Sequence, residues 1–149
     1  MKVEKDYEEF LQLLNAHSVR YCIIGSFALA VHARPRYTKD MDILVDPAPA
    51  NAERLLRVLN DFGFVDPDLT AADFLDPEQI VQLGYEPVRI DLLTSIAGCT
   101  FEEIWDNKTT ARYGSVVALF IGKRELVKAK RASARAQDLA DLELLEGAS

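Results

Sequence analysis

Residues 21–45 read YCIIGSFALAVHARPRYTKDMDILV, and the order of their signals sets the fold. Residues 19–24 are mostly apolar and rich in β-formers, which predicts a short buried strand. Gly25-Ser26 breaks it. Ser26 is placed to cap a helix, so residues 27–33 read as a short helix leaving the strand end. Residues 41–45 form a second apolar run, stopped by Asp46-Pro47. A strand, a tight turn, a helix and a returning strand make up this unit.

Outward from it, helices and strands continue to alternate. Tyr7, Phe10, Leu11 and Leu14 recur at three- and four-residue spacings, predicting an amphipathic helix over residues 4–17. Asn51 can cap a helix that runs to Phe62 and ends at Gly63. Residues 66–80 mix Asp, Pro and Thr with scattered apolar positions and read mostly as loop. Residues 81–83 and 88–93 are two strands around Gly84-Tyr85-Glu86-Pro87, a hairpin. Residues 101–105 make a helical turn. Residues 109–113 and 116–121 flank Gly114-Ser115, a two-residue hairpin signal. Helices over 124–131 and 136–146 close the chain. The expectation is an α/β (α+β) fold, a mixed sheet with helices packed on it, in one domain over residues 1–149.

Composition narrows the functions. The chain has 149 residues, 49% apolar and 28% charged, ordinary for a globular domain with a real core. No apolar run approaches the ~20 residues that span a bilayer. The charged opening (Lys2, Glu4, Lys5, Asp6, Glu8, Glu9) is unlike a signal peptide, so a cytoplasmic protein with no membrane association is expected. Cys22 and Cys99 have no metal-ligand spacing and read as free thiols. The net charge of −7 argues against broad DNA binding. Basic residues gather at Arg34, Arg36 and Lys39 and from Lys123 to Arg135, which suits one polyphosphate better than a duplex.

Three elements carry chemistry. Asp40 and Asp42, two apart on a strand, project from one face, with Met41 and Ile43 toward the core. Adjacent carboxylates repel unless a cation lies between them. Mg²⁺, with its preference for hard oxygen ligands, would resolve that conflict; a solvated strand end is the plainer alternative. Asp91 lies in Val88-Arg89-Ile90-Asp91-Leu92-Leu93, a carboxylate in an apolar strand, so it faces a site or a partner, or pairs with Arg89 on the same face. If this strand lies beside the first, three carboxylates converge as two-ion chemistry requires. Gly25-Ser26, at a strand end opening a helix, lets backbone N–H groups approach an anion, or is simply a turn and a cap.

Ile24-Gly25-Ser26, then Asp40-Met41-Asp42 after thirteen intervening residues, then Ile90-Asp91-Leu92, resembles the signature of the DNA polymerase β-like nucleotidyltransferase superfamily. The likeness covers about residues 19–93 as a catalytic core, with a C-terminal hairpin and helices over about 108–146. Within the superfamily, Gly25-Ser26-Phe27-Ala28, His32 and Arg36-Tyr37-Thr38-Lys39-Asp40-Met41-Asp42 resemble small stand-alone prokaryotic nucleotidyltransferases, including AbiEii-type toxins. Lys130 with Arg135-Ala136-Gln137-Asp138 and Asp141 is similar to their "K … R-x-K-D-x-x-D" tail. Gln137 replaces its middle lysine, and Ala134 stands where a glycine usually precedes the arginine.

The resemblance implies that Gly25 and Ser26 bind the triphosphate of an NTP. It implies that Asp40 and Asp42 hold two Mg²⁺ ions, Asp91 one of them, while an acceptor hydroxyl attacks the α-phosphate. Arg36 and Lys130 are candidates to meet the nucleotide, each alternatively a surface or ion-paired residue. Thr38 reads as organising the turn before the strand. His32 reads as structural more readily than as a base, and Asp138 and Asp141, three apart on a helix, can pair with Lys130 or Arg135. The acceptor expected is an RNA end, a protein or a small molecule, in a toxin-like setting with an antitoxin-like partner. A catalytically silent binding module of a toxin–antitoxin pair and an antibiotic nucleotidyltransferase are the alternatives.

Overall fold

The computed structural model describes residues 3–34, 40–85 and 88–147. Six strands form one mixed sheet: β1 (Tyr21–Ile24), β2 (Asp40–Val45), β3 (Ile80–Tyr85), β4 (Val88–Leu93), β5 (Thr109–Tyr113) and β6 (Val116–Phe120). Their order across the sheet is β3-β4-β2-β1-β6-β5. β2 runs parallel to β4 and antiparallel to β1, and β1 runs parallel to β6. Hairpins close both edges, β3 with β4 and β5 with β6.

Six helices accompany the sheet: α1 (Lys5–Ala16), α2 (Gly25–His32), α3 (Pro49–Phe62), α4 (Phe101–Asp106), α5 (Lys123–Ser133) and α6 (Ala136–Gly147). Tyr7, Phe10, Leu11 and Leu14 are the buried face of α1, as their spacing predicts. Met41, Ile43 and Val45 of β2 are fully buried, while Asp40 and Asp42, which alternate with them, are half-buried on the other face. Full burial of each large aliphatic side chain contributes about 1.5–3 kcal/mol. Among the described residues no helix is long and apolar enough to cross a membrane. The thiol of Cys22 is buried and that of Cys99 half-buried; both are free.

Two expected caps are not caps. α2 begins at Gly25 itself with Ile24 at its N-cap, so Ser26 sits inside the first turn. α3 begins at Pro49, whose ring presets the helical φ, leaving Asn51 free for another task. Asn51 is buried; its Oδ1 accepts from the Arg20 N–H (2.7 Å) and its Nδ2 donates to the Arg20 and Asp46 carbonyls (3.1 and 3.0 Å). It pins the start of β1 to the end of β2. Within residues 66–80, Ala71–Leu75 forms a 3₁₀ turn with a Thr70/Asp73 capping box, the N-terminal signature that pattern reading passed over.

α5 is capped by Ala134, which adopts the left-handed conformation (φ 49°) while its N–H bonds to the Lys130 carbonyl. A Cβ in that region costs about 1–2 kcal/mol. Ala134→Gly should therefore raise stability, by roughly 0.5 kcal/mol after the entropic cost of glycine. A chemical-denaturation midpoint that falls instead would mean the αL turn is not the strained element.

Candidate active site

Strand register assembles the site. Ile24 lies opposite Asp42, Asp42 opposite Asp91, and Asp91 opposite Gln82, giving one row across β1, β2, β4 and β3. Asp40, two residues before Asp42, lies opposite Arg89. The pairing condition for converging carboxylates is met, because β2 and β4 are parallel neighbours. Gly25, Asp40, Asp42 and Asp91 line a cavity of about 340 Å³ together with Lys130 and Arg135. Ile80, Leu93, Ile96 and Leu126 supply an apolar wall.

The carboxylates strain against one another. The Asp42 carboxyl is pushed up to about 6, first by burial and then by Asp91 and Asp40; Arg89 and Lys130 pull it down only in part. The strain expresses a need for positive charge.

Gly25 is required twice over. Its φ is +71°, and a Cβ built there would lie 2.6 Å from Asp42 Oδ2. Backbone thus reaches the carboxylate row with no side chain between. Ser26 follows in the first turn of α2, half-buried, and is not among the residues lining the cavity. Arg36 and Thr38 lie outside the described residues. His32 is structural in this geometry: its Nε2 and the Ile121 carbonyl are 2.7 Å apart, so Nε2 carries the proton and ties α2 to the chain beyond β6.

Lys130 takes the ion pairs that Asp138 and Asp141, three apart on one helix, are spaced to offer. On α5, Arg124, Lys128 and Arg131 are exposed while Leu126, Ala129 and Lys130 are buried, as the helix period predicts. As a candidate to meet the nucleotide, Lys130 is therefore already ion-paired, to α6 and not to the Asp40/Asp42/Asp91 row. Lys130 Nζ lies 2.9 Å from Asp141 Oδ2 and 3.3 Å from Asp138 Oδ1, both on α6 and both buried. Burying an ammonium is tolerable only when it is paired, and α6 packs near enough to pair it. Arg135 Nε adds a 2.8 Å bond to Asp138 Oδ2, and Gln137, the residue replacing lysine in the tail, donates to Asp141 Oδ1 at 3.1 Å. Burial pushes the Asp138 carboxyl up, but the hydrogen bonds from Arg135 and the charge of Lys130 outweigh it and hold it below the usual carboxylate range.

Arg89 is the site residue whose reach the sequence did not reveal. It pairs with Asp91, as adjacency on one face allows, and it also bridges to Asp40 on the next strand, Nη2 to Oδ2 at 2.8 Å. Period-two spacing predicts the first contact; only the β2–β4 register gives the second.

The donor chemistry is of the hard-oxygen kind that a divalent cation takes: three carboxylates share one sheet face, and the central one is pushed up by burial and then by its neighbours. Among the described residues their oxygens do not close into a compact ligand cluster, and Arg89 is bonded to two of the three.

Among solved structures, the chain is similar to a lincosamide antibiotic adenylyltransferase, LnuA, with lincomycin bound. The match covers 98% of each chain at a TM-score of 0.61 and 18% sequence identity. The fold is that of a nucleotidyltransferase. Comparisons with protein families and with curated proteins find no match. In this nucleotidyltransferase fold the carboxylate row lies where β2 and β4 run side by side, with the Gly25 turn at its end and α5 lining the same cavity.

Proposed function

We propose that the protein is a Mg²⁺-dependent nucleotidyltransferase that moves a nucleoside monophosphate from an NTP to the hydroxyl of a small-molecule acceptor. The observation that carries this reading is the register of Asp42 with Asp91, Asp40 on the same face, beside a glycine turn that admits no side chain. Asp40, Asp42 and Asp91 would hold the divalent ions, which would supply a lowered acceptor-hydroxyl pKa and neutralise phosphoryl charge. Gly25 and the first turn of α2 offer backbone N–H groups and the positive helix end to phosphates. Ser26 and Arg36 remain in the proposed phosphate contacts, and Lys130 and Arg135 add positive potential from the same cavity lining. Positioning of hydroxyl and α-phosphate, with electrostatic stabilisation, supplies most of the rate in such transfers.

The acceptor reading rests on the apolar wall of Ile80, Leu93, Ile96 and Leu126 beside the carboxylates. Such a surface suits a compact amphipathic molecule better than a polyanionic RNA end. The antibiotic bound to the similar structure points the same way. Among NTPs labelled at the α-phosphate and supplied with Mg²⁺, at least one should transfer its label to a low-molecular-weight hydroxyl compound in cell extract. Label in RNA or protein would favour the toxin-like setting of the AbiEii-type proteins and an antitoxin-like partner. No label from any NTP, with NTP binding intact, would leave the silent binding module.

Phosphate binding has its own test. Ser26→Ala should weaken NTP binding by about 1 kcal/mol, roughly fivefold. Gly25→Ala should weaken it more than about tenfold, since its Cβ both blocks backbone approach and displaces the Asp42 carboxylate. Unchanged affinity in both variants, by calorimetry with Mg²⁺, would rule the turn out as a phosphate cradle.

A further inference from the structure

The face that would receive divalent ions already holds a cation of the chain's own. Arg89 Nε donates to Asp91 Oδ1 at 3.0 Å, and Nη2 donates to Asp40 Oδ2 at 2.8 Å and to Asp91 Oδ2 at 3.2 Å. One guanidinium therefore spans carboxylates on two parallel strands, using the planar fork that suits it to such contacts. The three side chains are well shielded, at 25% exposure for Arg89, 24% for Asp40 and 12% for Asp91. The backbone beneath is fixed as well: the Tyr7 hydroxyl donates to the Arg89 carbonyl at 3.1 Å, and Tyr7 packs edge-on against Phe27 and Tyr113. Asp42, between the two carboxylates in the row, receives only the longer-range influence of that charge.

We propose that Arg89 is a positioning residue that competes with the divalent ion for Asp40 and Asp91. This rests on the metal-dependent reading of the same site. The guanidinium keeps the acidic face assembled when no ion is bound, and it withholds three of the four carboxylate oxygens of Asp40 and Asp91 from an incoming ion. An ion that uses those oxygens must break Arg89's bonds to them, so its observed affinity is lowered by the strength of the guanidinium's hold. A triphosphate entering with its ion offers the released guanidinium a second anion, which couples ion binding to nucleotide binding.

The experiment measures Mn²⁺ binding to the nucleotide-free full chain, by the loss of free-ion EPR signal, for wild type, Arg89→Met and Arg89→Lys. Competition requires Arg89→Met to bind Mn²⁺ about tenfold tighter or more. Arg89→Lys, whose point charge cannot span both carboxylates, should fall between. Thermal midpoints with and without Mn²⁺ provide a second measurement, in which the ion should restore more stability to Arg89→Met than to wild type. Affinity in Arg89→Met equal to or weaker than wild type would overturn the proposal while leaving the metal site intact. A variant that stays unfolded in saturating Mn²⁺ would overturn it too, since the guanidinium would then be structural. Absence of Mn²⁺ binding in all three would remove the metal-dependent reading along with it.

Discussion

Asp42→Asn should abolish nucleotidyl transfer, on the order of a thousandfold or more, while leaving the protein folded and in the absence of metal more stable. Asp42 lies between Asp91, its register partner, and Asp40 on its own strand, and any ion shared by the row would need its oxygens. Its carboxyl titrates near 6 in the folded chain against an ordinary 3.8, chiefly because it is buried and then because of its two neighbours. The native state therefore holds this proton where the unfolded chain has released it. The destabilisation grows as pH rises through that window and is fully present above it. A shift of this size bounds the gain from removing the charge at about 3 kcal/mol near neutral pH, and solvent access reduces it. The thermal midpoint of Asp42→Asn should exceed that of wild type at about pH 7.5, and the difference should shrink toward about pH 4. Added Mg²⁺ should raise the wild-type midpoint and leave that of the variant nearly still. A large loss of stability at both pH values would make Asp42 a structural residue, and transfer near the wild-type rate would end the metal reading.

How much of this was legible in the sequence depended on the range of the interaction concerned. Period-two and helical spacings placed Asp40 and Asp42 on one face of β2, and the core face of α1 and the buried side of α5, because local geometry alone decides which face a residue takes. The parallel β2–β4 pairing was a condition the sequence could state and not resolve, since the residues between the two strands do not encode their spatial order. Arg89's bridge to Asp40 and Asn51's clamp between β1 and β2 both depend on such order. The Gly25 start of α2 and Pro49 displaced the expected caps by two and three residues, a scale on which helix boundaries are weakly encoded.

Lys130 is where local pattern and tertiary pairing pull a prediction in two directions. Helical spacing puts it on the packed side of α5, and a buried ammonium needs an anion; the structure supplies two, Asp138 and Asp141, whose side chains are 2% and 0% exposed. Lys130→Ala leaves both carboxylates buried beside an empty volume. Arg135 still holds Asp138, and Gln137 still reaches Asp141, but the ammonium that the two carboxylates share is gone. Removing one partner of a buried pair costs about 3–5 kcal/mol, so the variant should lose roughly 3 kcal/mol in denaturant unfolding. Lys128→Ala, which removes an exposed partner of Glu103, should barely move the midpoint. Pairing Lys130→Met with Asp141→Leu should recover part of the loss, because the double replacement leaves one fewer buried charge uncompensated. NTP affinity, measured where Lys130→Ala is still folded, then reports the electrostatic role separately: the ammonium lowers the Asp42 carboxyl and faces the same cavity, so affinity should fall. Equal stability of the Lys130 and Lys128 variants would refute the buried bridge. A stability loss with unchanged affinity would make Lys130 a brace between α5 and α6 that takes no part in holding the nucleotide.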